Sequence, residues 1–186
     1  MASIAASVAW WARTEPGRTA LVYQDQSITY AELQRRIEAA AGPICAQGVQ
    51  PGQVVALLMK NSAAFLELAL AVIHAGAVLL PINYRLGAEE VAYILDHAGA
   101  RLLFVDEELM SSTTGCSVPC VVLDSPAQAD SRRLVGDAQP QSHAHQVGPA
   151  DLYRLMYTSG TTDRPKGVMH THANAMWKNI DHIAAL

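Results

Sequence analysis

Two kinds of apolar patterning alternate along the chain: short uninterrupted runs, and longer segments whose apolar residues recur three and four positions apart. VVALLM at 54–59, AVLLP at 77–81, RLLFV at 101–105 and CVVL at 120–123 are runs of the first kind. Such runs predict strands covered on both faces. Ile4, Val8 and Trp11 follow the spacing of one helix face, and predict an N-terminal helix that docks on a core. Thr29 and Glu32 fit a capping box, with Ile28 and Leu33 as its hydrophobic staple. The helix they start is predicted to run through Leu33, Ile37 and Ile44 to Gly48, with a kink at Pro43. Ser62 is placed to cap a helix that is apolar nearly all round, from Phe65, Leu66 and Leu68 to Leu70, Val72 and Ile73, and so deeply buried; Gly76 closes it. A further helix spans about Ala88 to Ala98, after a loop carrying Asn83, Tyr84 and Arg85.

Strands that alternate with helices imply crossover connections. The predicted fold class is therefore α/β, a parallel-rich sheet with helices on both faces. The polar stretch from Asp124 to Pro149 reads as a surface excursion, at most partly helical, and Tyr153 to Tyr157 returns to the sheet.

Composition narrows the class of function. With 186 residues, 51% hydrophobic and 16% charged, the chain suits a buried globular core, either as one domain or as a large piece of something bigger. A net charge of -4 with scattered Lys and Arg leaves no basic face for nucleic acid, so the expected partner is a small molecule. The 3 cysteines make no disulfide framework, as expected in a reducing compartment. No positive charge precedes the apolar N-terminal stretch, and no run approaches the ~18 apolar residues of a membrane span. The expected location is the cytoplasm.

Cys116, Cys120, His143 and His145 can be written as a zinc set, but the spacings are loose and free cysteines usually fill cores. His74 reads as a helix-end histidine beside a carbonyl, His170 and His172 as the approach to a helix cap, and Trp10 and Trp11 as core or interface. Tyr157 to Val168, YTSGTTDRPKGV, has a different character. Phosphate oxygens are held by converging backbone N–H groups, hydroxyl donors and a cation. Thr158, Ser159, Gly160, Thr161, Thr162, Lys166 and Gly167 supply all three. The same residue types also dominate ordinary polar turns. The segment is not a Walker A loop, because Pro165 precedes Lys166 and Gly167 follows it.

The segment closely resembles the phosphate-loop signature of the adenylate-forming, AMP-binding superfamily, whose usual text is Y-T-S-G-T-T-G-x-P-K-G-V with Thr-His shortly after. The chain departs from it at Asp163, and Thr171-His172 follows in place. ITYAELQRR at 28–36, GVQPGQVVALLMKNS at 48–62, AGAVLLPINYRL at 75–86 and LLFVD at 102–106 also resemble the opening of an acyl-CoA synthetase. The resemblance implies that residues 1–186 are the N-terminal portion of a large domain. The rest of that domain, with the acyl pocket, and a small C-terminal domain with the catalytic lysine would lie beyond Leu186. It further implies a phosphate loop between two antiparallel strands, the second starting at Lys166 to Val168. Thr171 would then cap a helix with Met176, Ile180 and Ile183 on its apolar face.

By the same resemblance the complete enzyme is an ATP-dependent carboxylate–CoA ligase acting on a fatty or related hydrophobic acid, with ATP, Mg2+ and CoA. Thr158 would help hold magnesium, while Gly160, Thr161, Thr162 and Lys166 would meet the β- and γ-phosphates. No catalytic residue is expected within these residues, and the fragment alone is expected to be inactive. An adenylation domain loading a carrier protein, and a non-catalytic nucleotide-binding or interaction remnant, are the alternatives. Asp163 is expected to face outward, pairing with Arg164, because a carboxylate turned toward a triphosphate repels it. The sequence gives no oligomeric state.

Overall fold

A computed structural model describes residues 3–123, 139–158 and 164–184, with 179–184 as backbone. Ser3 accepts the Ala6 N–H and caps α1 (Ile4–Thr14), which buries Ala5 and Val8 while Trp11 stacks on Tyr30. A hairpin that the pattern does not predict follows, β1 (Thr19–Tyr23) with β2 (Gln26–Thr29), turning at Gln24 with φ 53.

α2 (Tyr30–Ala46) begins as expected, with the Thr29 hydroxyl accepting the Glu32 N–H at 3.3 Å and Ile28 and Leu33 both buried. The reciprocal half of the capping box is replaced: Arg36, at 2.6 Å, and Arg35 take the Glu32 carboxylate and hold it below the usual carboxylate range. Arg36 also reaches Glu67 at 2.9 Å, a carboxylate 1% exposed on the helix predicted to be apolar nearly all round. The helix continues through Pro43, in its last turn, where the ring removes the N–H that would have met the Ala39 carbonyl.

β3 (Val54–Leu58), α3 (Ala63–His74), β4 (Val78–Pro81), α4 (Ala88–His97), β5 (Ala100–Asp106) and β6 (Cys120–Leu123) are the predicted crossover units, save that a 3-10 helix, Glu107–Thr113, makes the last crossing. Ser62 caps α3 through the Phe65 N–H at 3.1 Å, although Leu66 faces solvent. Gly52 and Gly76, at φ 80 and 77, make the turns that bracket β3 and α3. After β7 (Leu152–Thr158) and β8 (Lys166–Thr171), α5 (His172–Ala184) completes the described chain.

The strand order is β6-β5-β3-β4-β7-β8, parallel from β6 to β7 with β8 antiparallel to β7. Alternation along the strands splits the core in two. Val55, Leu57 and Phe104 join α1, α2 and α3, whereas Ala56, Leu58, Leu103 and Val105 join α4 on the other face. No helix among the described residues is long and apolar enough to cross a membrane. Val168, Met169 and Trp177, on β8 and α5, are 44%, 67% and 69% exposed.

Residues 124–138 of the polar stretch lie outside the described residues; the remainder lies at the surface and is not helical, in keeping with the expectation. Residues 139–148 form a strap laid over α2 and α3. The Gln141 N–H donates to the Glu38 carbonyl at 2.9 Å, and His145 N–H to the His74 carbonyl at 2.8 Å. Gly42 is needed here, because a Cβ on it would lie 2.1 Å from the Gln139 carbonyl oxygen. His74, 1% exposed, donates from Nε2 to the Gln141 carbonyl at 2.8 Å, so the predicted carbonyl belongs to the strap.

Burial holds the His74 imidazole below its ordinary pKa, against the strap carbonyl and Glu38, which pull it upward, and with His143, which pushes it down. A folded pKa below the unfolded one means that the unfolded chain binds the extra proton first. Stability is therefore full above the unfolded value, ~6.5, and is lost as pH falls through the window beneath it. His74→Gln keeps a donor for Gln141 but cannot titrate. The expected result is a thermal midpoint that falls less between pH 7 and pH 5 than in the wild type. A residual slope remains, since burial also lowers His170 and His172. Equal slopes for the two proteins would remove His74 from the account.

Candidate nucleotide-phosphate site

The candidate residues sit where β7 meets β8. Because β7 runs parallel to β4, its end at Thr158 lies on the same edge as the ends of β3, β4 and β5. That is the carboxyl edge of an open α/β sheet, where ligands characteristically bind. β3 has β4 on one side and β5 on the other, so the winding reverses there.

Register decides which side chains share a face. Thr158 pairs with Lys166 and Tyr157 with Gly167, and directly opposed residues project to the same side. The hydroxyl and the ammonium therefore stand together on one face of the hairpin, both exposed. Tyr157 projects to the other face, where it packs with Leu155 against the α4 cluster. A register shift between Leu152 and Arg154 sends buried Tyr153 to the opposite cluster.

Gly167 leaves room for the Tyr157 ring, since a Cβ there would meet ring atoms at 3.0–3.2 Å. The Tyr157 hydroxyl is 2.7 Å from Nδ1 of His97 on α4, and burial pushes the phenol pKa up. His97 stacks on Tyr93, one turn earlier, and the Arg164 guanidinium lies 5.2 Å from the Tyr93 ring centre. Ser159, Gly160, Thr161, Thr162 and Asp163 lie outside the described residues, so the expected Asp163–Arg164 pair does too.

Beyond the hairpin, Thr171 caps α5 as predicted, accepting the Asn174 N–H at 3.2 Å while its own N–H donates to the Asn174 side chain at 2.9 Å. Met176 is 39% exposed, and the side chains of Ile180 and Ile183 lie outside the described residues. Buried His172 lies beside Tyr153, with ring centres 5.5 Å apart. Among the described residues no cluster of His, Cys, Asp or Glu could hold a metal, and Cys45, Cys116 and Cys120 are free thiols.

Sequence reading missed Tyr93 and His97, whose partners are remote in the chain, and Asp106. The Asp106 carboxylate is fully buried at the end of β5, accepts the Lys60 N–H at 2.8 Å, and is pushed above the ordinary range by that burial. Its one local signal is a charged residue closing the apolar run LLFVD.

Comparison with known proteins adds four findings. The family model described as AMP-binding enzyme matches residues 8–185. The chain is 37% identical over 170 residues to a feruloyl-CoA synthase of Amycolatopsis sp, covering 91% of this chain and 33% of that protein. It is 32% identical to gramicidin S synthase 2 of Brevibacillus brevis, covering 90% of this chain and 4% of that protein. Among solved structures it superposes with TM-score 0.80 and 26% identity on the Bacillus subtilis o-succinylbenzoate CoA synthetase in complex with its acyl-adenylate intermediate, covering 96% of this chain and 45% of that one. The chain thus spans about a third of the feruloyl-CoA synthase it matches.

Proposed function

The chain belongs to the AMP-binding enzyme family, on the acyl-CoA synthetase side of the adenylate-forming superfamily, and on that premise we propose that it is the N-terminal portion of a carboxylate–CoA ligase. The substrate proposed is a hydrophobic carboxylic acid, fatty or related. Its carboxylate oxygen attacks the α-phosphorus of ATP, the bond to the β-phosphate oxygen breaks, and pyrophosphate leaves. The thiol of CoA then attacks the acyl carbon, releasing AMP. A cytoplasmic location belongs to the same reading.

The observation that carries it is the pairing of Thr158 with Lys166 on one face of a hairpin at the carboxyl edge of the sheet. An anionic nucleophile must approach a polyanion, and charge fixed in place before reaction is the strongest help a protein can give. Lys166 offers that charge to the β- and γ-phosphates, while Ser159, Gly160, Thr161, Thr162 and Gly167 are proposed to add hydroxyl and backbone donors. Magnesium, when bound, would neutralise phosphate oxygens, and the Thr158 hydroxyl fits it as an oxygen ligand. The length of the relatives supports placing the acyl pocket and the CoA site outside this chain, and so predicts no turnover by these residues alone. The exposed apolar side chains of β8 and α5 agree with that, being the kind of surface a further segment would cover.

The test is acid-dependent exchange of pyrophosphate into ATP by a protein carrying these residues together with the rest of the enzyme. Silence across a broad panel of acids would overturn the reading. Similarity to a fatty acid–acyl-carrier-protein ligase of Streptomyces coeruleorubidus, 34% identical over 166 residues, favours a second reading, in which the acyl group passes to a carrier protein. Acyl transfer to CoA by the same protein, measured as thioester formation, decides between the two.

A further inference from the structure

Two residues of α4 that belong to no signature touch both sides of the hairpin turn. His97 meets Tyr157, just before the turn, through the 2.7 Å contact between Nδ1 and the phenol oxygen. Tyr93 carries Arg164, just after it, with the guanidinium 5.2 Å from the ring centre. The two α4 side chains also stack on each other, with ring centres 5.4 Å apart and planes at 28°. They are four apart in sequence, the spacing that puts residues on one helix face.

We infer that Tyr93 and His97 are positioning residues: they seat both flanks of the turn on α4 and thereby fix where Thr158 and Lys166 present their side chains. The inference rests on the phosphate-binding reading of this hairpin. Four features support it. Tyr157 and Thr158 are neighbours on a strand, so anchoring one face of the hairpin sets the direction of the other. Gly167 is the register partner of Tyr157, and a larger residue there would push on the ring that reaches His97. The phenol can both donate and accept, so the contact does not demand one imidazole tautomer. α4 is itself fixed in the core through Val91, Ile94 and Leu95, which makes it a firm seat.

The test compares His97→Phe and Tyr157→Phe, which keep the rings and remove the hydrogen bond, with His97→Gln, which keeps a group able to bond the phenol. Two quantities are read on the intact protein: amide exchange without nucleotide, in peptides ending at Thr158 or beginning at Arg164, and the Kd for Mg-ATP. Loss of one partly exposed hydrogen bond is expected to speed exchange about three-fold and weaken Mg-ATP by about three-fold, with β3 and β5 unchanged. The double Phe variant should be no worse than either single, and His97→Gln should behave as wild type. Unchanged exchange, or additive effects in the double variant, overturns the seat. Faster exchange with unchanged Mg-ATP affinity makes α4 a structural prop and overturns the positioning role. If the wild type itself binds no Mg-ATP, the phosphate reading falls, and with it the positioning role, while exchange still reports whether α4 seats the hairpin.

Discussion

Replacing Arg36 with Met is expected to cost about 3–5 kcal/mol of folding stability, because it leaves the carboxylate of Glu67 in the core without its counter-ion. Glu67 is 1% exposed, and Arg36 is the cation that reaches it, at 2.9 Å. Removing the other partner should cost less. In Glu67→Met the arginine keeps Glu32 at 2.6 Å and, with 15% of its side chain still exposed, some contact with water. The double variant Arg36→Met, Glu67→Met should recover most of the loss, since an apolar pair of similar volume needs no desolvated charge. Urea denaturation of the three variants checks this. A double variant as unstable as Arg36→Met alone would mean that packing, and not charge, sets the cost.

The second large effect concerns the candidate site. In the complete enzyme Lys166→Ala is expected to lower the rate of adenylation by about 10²–10³-fold, the cost of deleting one preorganised electrostatic partner of a transition state. Lys166 is exposed and opens an edge strand, so the folded fraction should be nearly unaffected. Pyrophosphate exchange alongside a thermal melt separates the two. A fall in rate that tracks a fall in melting temperature would remove Lys166 from the chemistry. Asp163→Gly, assayed in parallel, tests the outward-facing aspartate: a large fall in the KM for ATP would show that the carboxylate repels phosphate.

Much of the scaffold was legible because its signals are local. Thr29, Ser62 and Thr171 each cap the helix that follows, a matter of three residues of backbone. The strands could be read because a run such as VVALLM has no polar residue to offer water. The antiparallel pair around the signature was placed by resemblance, and the register confirms the strands while leaving residues 159–163 undescribed. What escaped depends on partners remote in sequence. Glu67 has no local signal of its partner, since Arg36 is 31 residues away. His97 and Tyr157 are 60 apart, and the strap over Gly42 joins segments that share no pattern. The β1–β2 hairpin was missed for a different reason: its turn, Gln24-Asp25, lacks the glycine that usually marks one.

The attachment of β7 to the sheet bears on the order of assembly. It pairs in parallel with β4, from which a long stretch of chain separates it, and antiparallel with its chain neighbour β8, from Leu152 to Thr158. Closing the long chain segment between β4 and β7 costs entropy before their contact returns any energy, while the β7–β8 hairpin closes over a short one. The four-stranded parallel body should therefore form first, and the hairpin dock upon it late. In a refolding experiment with pulsed amide labelling, β3 and β5 should gain protection before β7 and β8; simultaneous protection would count against this order. Folding of the part proposed to meet ATP would then wait for a scaffold already in place.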